Sequence, residues 1–194
     1  MNLESLISDN MRDIPPSPIR KFFDIVKTME GAISLGIGEP DFVTPWHIRD
    51  AAISSINNGE TSYTANAGTP ELRSAVSRYL NRRFGLEYDI SQIIVTVGAS
   101  EAIDLAMRAL INPGDEVIIP DPSYISYAPN VRLVYGRAVP LPTYASDGFS
   151  ITPENLKKAI TPRTKALVLP YPNNPTGGIM TREQLALIAK VLEH

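Results

Sequence analysis

The stretch Ile93-Ile94-Val95-Thr96-Val97-Gly98-Ala99-Ser100-Glu101-Ala102-Ile103-Asp104-Leu105 decides the fold. A β-branched run stops at a glycine and passes at once into residues that suit a helix, so it reads as strand, tight turn and helix N-terminus. The first turn of a helix carries backbone N–H groups without intrahelical partners, and the aligned peptide dipoles add partial positive charge there. Such an end suits an anion, and a phosphate in particular. Gly98 and Ala99 put little bulk in the way, and the Ser100 hydroxyl can donate to a phosphate oxygen or cap its own helix. The same residues also suit an ordinary buried strand–helix connection, because they match neither GxGxxG nor GxxxxGK[ST].

Toward the C-terminus, Asp104 to Leu110 is apolar over much of its circumference, so this helix is expected to be covered. Asn112-Pro113-Gly114-Asp115 reads as a turn, and Val117-Ile118-Ile119-Pro120 as a short buried strand followed by Asp121-Pro122-Ser123-Tyr124. Arg137 to Leu141 is a further strand. Thr152-Pro153-Glu154 opens a helix ending near Ile160, and Lys165 to Leu169 is another buried strand. It leads into Tyr171-Pro172-Asn173-Asn174-Pro175-Thr176-Gly177-Gly178. Thr181-Arg182-Glu183-Gln184 fits a capping box, with Leu185, Ile188 and Leu192 as the inward stripe of the last helix. Strands alternating with helices imply an α/β fold with a mainly parallel sheet flanked by helices. The loops at Gly98–Ser100, Asp121–Tyr124 and Asn173–Gly177 each follow the carboxyl end of a predicted strand, the edge where open α/β sheets bind ligands.

Toward the N-terminus, Thr44-Pro45 reads as N-cap and first helical residue of a helix through Ile56, with Ile48, Ala52 and Ile56 on its apolar side. Asn57-Asn58-Gly59 ends it. After the polar loop Tyr63 to Gly68, Thr69-Pro70-Glu71 opens a helix to about Phe84, with Leu72, Val76, Tyr79 and Leu80 inward and Gly85 as terminator. Residues 1–20 hold Pro15, Pro16 and Pro18, which favour an extended arm. Ile19, Phe22, Phe23, Val26 and Met29 keep helical spacing over Ser17 to Glu30. Ile33 to Phe42 begins strand-like and breaks into a loop with Gly36 and Gly38.

The 194 residues allow one good core, or one domain plus part of another. A hydrophobic share of 43% and a charged share of 20% are those of an ordinary globular chain. The formal charge of −3 gives no broad basic surface, which disfavours nucleic acid. Cysteine is absent, which excludes thiol catalysis and disulfides, and the 2 histidines, His47 and His194, form no metal-ligand pattern. Neither a membrane-length apolar run nor a signal-peptide start is present, so a cytoplasmic location is expected.

Six motifs in order carry a resemblance: Gly38-Glu39-Pro40-Asp41-Phe42; Tyr63 with Gly68-Thr69-Pro70-Glu71-Leu72-Arg73; Gly98-Ala99-Ser100-Glu101-Ala102; Pro113-Gly114-Asp115-Glu116-Val117; Pro122-Ser123-Tyr124; and the Asn-Asn-Pro-Thr-Gly loop. The chain resembles the N-terminal part of a class I aminotransferase, a pyridoxal-phosphate enzyme of the aspartate aminotransferase superfamily with fold type I. The resemblance implies a parent enzyme that moves an amino group from an amino acid to a 2-oxo acid. It assigns the cofactor phosphate to Gly98, Ala99 and Ser100, ring stacking to Tyr124, and a hydrogen bond to the ring's phenolic oxygen to Asn174, which also borders the substrate. Gly38 would approach the substrate carboxylate, and Tyr63 the phosphate of a neighbouring subunit's cofactor, which implies a homodimer. It also implies an N-terminal arm and small-domain segment over 1–45 and the first half of the large cofactor domain over 46–194.

The lysine that would form the Schiff base, the carboxylate for the ring nitrogen and the arginine for the substrate lie, by the same resemblance, beyond the stretch ending at His194. Lys21, Lys27, Lys157, Lys158, Lys165 and Lys190 read as solvated charge. The chain is therefore expected to be an incomplete portion, inactive alone, with an unpaired sheet edge and uncovered apolar helix faces. Rival readings are a lyase on the same cofactor scaffold and a non-catalytic module that binds phosphate-bearing ligands or dimerises. A nucleotide-binding domain is disfavoured by the missing glycine and lysine signatures.

Overall fold

A computed structural model describes residues 3–12, 14–15, 25, 28–29, 31, 33, 38 and 40–193. The backbone falls into two units, Met1–Pro16 with Val97–His194, and Ser17–Thr96. Among the described residues the α-helices are, in chain order, α1 (Asp9–Arg12), α2 (Trp46–Asn57), α3 (Pro70–Phe84), α4 (Gly98–Leu110), α5 (Tyr127–Leu133), α6 (Pro153–Ala159) and α7 (Arg182–Leu192). The strands are β1 (Glu116–Asp121), β2 (Arg137–Pro142) and β3 (Thr164–Leu167).

The first unit is built on a 3-stranded parallel sheet in the order β2-β1-β3. Successive side chains of a strand point to opposite faces, and β1 is buried on both. Val117 and Ile119 join Met107 and Ile111 from α4 and its exit, and Val131 and Val134 from α5 and its exit. Ile118 joins Leu141, Ile151, Leu156 of α6 and Ile188 of α7 on the other side. The result is helices, sheet, helices. A continuous apolar run suits a strand covered on both faces, whereas alternation would mark one face in water. In register, Ile118 stands beside Val139 of β2 and Leu167 of β3, so each face presents a row of aliphatic side chains.

Glu116 opens β1 and is 1% exposed. Its carboxylate accepts from the Thr161 hydroxyl at 2.6 Å, Arg163 at 3.2 Å and Arg137 at 3.1 Å, which ties the amino ends of all three strands together. On the side of β2 that faces β1, Arg137 N–H donates to the Asp115 carbonyl and Thr143 N–H to the Asp121 carbonyl. The odd-numbered residues of β2 thus face β1, and Pro140 and Pro142 face outward. A proline has no N–H to offer, so neither position can donate to a further strand at that edge.

Helix ends follow the sequence. Thr152 accepts from Asn155 N–H ahead of α6, and Thr181 and Gln184 form the reciprocal capping box of α7. In the second unit Thr69 caps α3, and Gly85, at φ 68°, closes it. The expected strand over Ile93 to Val97 is not a strand among the described residues. Ile93 is extended, Val95 N–H donates to Ala67 C=O, and Ile94 and Val97 are exposed. β-Branched residues favour extended backbone, while a ladder also needs a strand alongside.

Four further expectations shift. α2 begins at Trp46 with Pro45 as N-cap, one residue later than Thr44-Pro45 suggested. Ile48 and Ile56 of α2, and Leu72 and Tyr79 of α3, are exposed, while Val76 and Leu80 of the expected inward set on α3 are half-buried. α4 is partly covered, with Met107 buried but Leu105 and Leu110 exposed, and on α7 Ile188 is buried while Leu185 and Leu192 are not. Helical spacing says which residues share a face, and packing decides what covers it. α5 and a 3-10 turn at Ile90–Gln92, capped by Asp89, had no prior signal. The expected helix over Ser17 to Glu30 and the extended start at Ile33 lie largely outside the described residues.

Candidate functional site

β1 and β3 run parallel side by side, so the loops that follow them leave from the same edge of the sheet. The loop after β1 carries Pro122, Ser123 and Tyr124, and the loop after β3 carries Asn173 to Gly178. Asn173 joins them directly, its Nδ2 donating to the Pro122 carbonyl at 2.8 Å. α4 leads by a short turn into the amino end of β1 and contributes Ile103 and Met107 to the cluster on one face of the sheet. Its first turn, Gly98-Ala99-Ser100, is exposed.

That first turn has the properties expected of an anion cradle. Gly98 sits at φ 78°, and a Cβ built on it would meet nothing within 4 Å. Gly98 thus meets a conformational need that other residues satisfy only with strain, and leaves open space before the backbone. Val97, as N-cap, has no capping oxygen, and Ala99 and Ser100 are exposed. Glu101 folds back to accept from the Val97 N–H, which puts a carboxylate beside the turn. An arriving anion must therefore be held by N–H and hydroxyl donors against that charge.

Tyr124 is half-buried, with its ring edge-on to Tyr127 at a centroid distance of 5.6 Å. It borders a cavity of about 320 Å³ with Ile119, Ala128, Arg132 and Pro140. Asn174 is exposed next to the fully packed Asn173. Tyr124 and Asn174 thus lie on loops that leave one edge of the sheet, while Gly98, Ala99 and Ser100 open α4. Gly38 and Tyr63 belong to the second unit, where both are exposed, and no atom lies within 4 Å of a Cβ built on Gly38.

Several residues around the loop had no role in the sequence reading. Asn173 is 3% exposed and closes the loop through its N–H to Gly178 C=O and its C=O to Gly177 N–H. The Tyr171 hydroxyl donates to the Phe149 carbonyl at 3.0 Å, and burial raises the Tyr171 pKa against the lowering effect of the Ile151 backbone. Phe149 holds φ 57°, so a non-glycine residue in the left-handed region supports the loop from below. The doubled asparagine was the available signal for Asn173, but turn propensity explains that pair equally well. Lys157, Lys158, Lys165 and Lys190 are exposed, while Lys21 and Lys27 lie outside the described residues. Among the described residues there is no cluster of metal-ligating side chains, and no helix is long and apolar enough to cross a membrane.

A parallel sheet covered on both faces, with its irregular loops gathered at the carboxyl edge, defines the open α/β class in which ligands sit at that edge. Within that class the chain belongs to the aminotransferase class I and II family, whose profile matches residues 30–194. It is 51% identical over 189 residues to the putative aminotransferase YugH of Bacillus subtilis, which covers 97% of this chain and 49% of that protein. It is 46% identical over 192 residues to a probable N-acetyl-LL-diaminopimelate aminotransferase of the same organism, covering 98% and 49%. The aspartate aminotransferase of Rhizobium meliloti superposes with a TM-score of 0.90 at 40% identity, covering 96% of this chain and 48% of that one. The chain thus spans about half the length of the relatives it matches.

Proposed function

We propose that this chain supplies the cofactor-phosphate and ring-binding part of a pyridoxal-phosphate aminotransferase. The parent protein would move an amino group from an amino acid to a 2-oxo acid. The relatives above are named for different substrates, so amino transfer is the activity they share, and no particular donor is assigned. The observation that carries the reading is the joining of the Tyr124 and Asn174 loops by Asn173 at one edge of the sheet.

The residues fit the cofactor. The open backbone at Gly98 and the exposed Ala99 and Ser100 suit a phosphate, with Ser100 adding a hydroxyl donor. Tyr124 offers a flat face to an aromatic ring and excludes water from it. Asn174 can donate its amide to a phenolic oxygen, which favours the ionised form of that oxygen. When bound, pyridoxal phosphate supplies the electron sink for cleavage of bonds at the amino acid's α-carbon. In the same reading Gly38 admits the substrate carboxylate to the backbone, and Tyr63 reaches the phosphate held by a second copy in a homodimer. Residues 1–45 then form the arm and small-domain segment, 46–194 the first half of the large domain, and the parent protein works in the cytoplasm. The lysine that bonds to the cofactor lies outside this chain.

The test is 2-oxo acid formation by the parent protein, measured with and without an amino-group acceptor. Acceptor-dependent product is expected, and product without acceptor refutes transamination in favour of elimination. Borohydride reduction of this chain with pyridoxal phosphate is expected to leave no site-specific lysine adduct. A single labelled lysine would overturn the assignment of that role to residues elsewhere.

A further inference from the structure

Asn173 is the buried polar residue at the centre of the site, and amino-acid type alone gives it no more than a turn. Its side-chain amide spends both donors, one on the Pro122 carbonyl at 2.8 Å and one on the Thr176 hydroxyl at 3.1 Å. Thr176 in turn accepts from Gly178 N–H at 3.1 Å. The amide orientation is fixed by chemistry, because the flipped form would set Oδ1 against the Pro122 carbonyl, acceptor to acceptor. Asn173 Oδ1 is buried and has no hydrogen-bond partner among the described residues. An apolar residue would avoid that unsatisfied acceptor but would lose both donors, so the donors are what this position supplies.

We propose that Asn173 is a positioning residue, a latch that fixes the separation of the Ser123–Tyr124 loop from the Asn174–Gly178 loop. The inference rests on the pyridoxal-phosphate reading for its meaning, but the latch can be tested without the cofactor. Asn173 acts through its neighbours: Asn174 is covalently adjacent, and Tyr124 is two residues beyond the carbonyl it holds. Ser100 lies on a different element, α4, which Asn173 does not contact by any hydrogen bond described above. Loss of the latch therefore loosens the ring-binding residues and leaves the phosphate cradle in place.

Asn173→Asp separates donor chemistry from volume. Ionised, the carboxylate has no donor and faces the Pro122 carbonyl. Protonated, it regains one O–H donor. Amide hydrogen exchange of the N173D chain, referred to wild type at the same pH, is expected to rise at both Ser123–Tyr124 and Thr176–Gly178 near neutrality. It should return toward wild type on acidification, with the amides of α7, in the same unit as both loops, unchanged as a check on folding. Thr176→Val is the second variant. It removes the acceptor within the loop but keeps the Pro122 bond, and should raise exchange at Gly177–Gly178 alone.

Faster exchange confined to one loop in N173D, or a change insensitive to pH, would overturn the latch. Pyridoxal phosphate binding by the same chains is the second readout. Affinity for it should fall about tenfold in N173D, with inorganic phosphate binding unchanged. If the wild-type chain binds neither, the exchange result still judges the latch, and the cofactor reading is judged by acceptor-dependent product formation in the parent protein.

Discussion

Replacing Gly178 by alanine tests how tightly the Asn173–Gly178 loop is seated. A Cβ built at Gly178 lies 2.9 Å from the Gly148 carbonyl oxygen, 3.2 Å from Thr176 Oγ1 and 3.3 Å from Phe149 Cβ. The first neighbour is backbone and cannot rotate away, so loop and turn must part by about half an ångström to reach ordinary contact. Parting them strains the Tyr171–Phe149 hydrogen bond and the Gly178 bonds to Asn173 and Thr176. Overpacking of this kind costs about 1–3 kcal/mol. Gly177 is the internal control, since it has φ 70° and nothing within 4 Å of a built Cβ. Its alanine variant meets backbone strain alone, about 1 kcal/mol. The assay is urea unfolding of both variants beside wild type, read as a shift of midpoint at constant slope. Gly178→Ala is expected to shift the midpoint more than Gly177→Ala. A Gly178→Ala midpoint equal to wild type would refute the close seating of the loop on the Gly148–Phe149 turn.

Glu116 predicts an acid limb in stability. The Thr161 hydroxyl bond lowers its pKa, desolvation opposes that, and the Arg163 bond and the Arg163 and Arg137 charges lower it further. A carboxyl with a depressed folded-state pKa stabilises above its unfolded value and loses that contribution as pH falls through the folded one. The stability difference between wild type and Glu116→Gln, from urea midpoints, should therefore be largest near neutrality and shrink on acidification, and a constant difference would refute the ion cluster. Thr181→Ala removes the hydroxyl that accepts from Gln184 N–H at 3.2 Å, and loss of such a cap costs about 1 kcal/mol. Thr181→Ser should restore it in the same unfolding assay, and an unchanged Thr181→Ala midpoint would show that the cap contributes nothing.

The sequence by itself determined the order and type of the strong elements. Thr69-Pro70, Thr152-Pro153 and the Thr181–Gln184 box started helices where they were expected, because a capping oxygen and a proline at the first turn act within a few residues. The runs at Val117 and Lys165 became neighbouring parallel strands, but of the two only β1 is covered on both faces. The expected buried strand over Lys165 to Leu169 stops at Leu167, holds no buried residue and leaves Leu169 exposed, because cover depends on partners elsewhere in the chain. The motifs at Gly98, Tyr124 and Asn174 are local patterns that can be picked out of the sequence, with Tyr124 and Asn174 after strands and Gly98 at a helix start.

Tertiary structure alone decided the rest. Whether Ile93 to Val97 pairs, and whether Leu72, Tyr79 or Leu185 is covered, depends on partners distant in sequence, which no local pattern encodes. The buried state of Glu116 came from Thr161, Arg163 and Arg137 converging on it from two other segments. Asn173 looked like half of a turn-forming pair until the sheet set β1 beside β3. Only then did the Pro122 carbonyl come within reach of its amide, because strand adjacency, and not chain proximity, sets which loops share an edge.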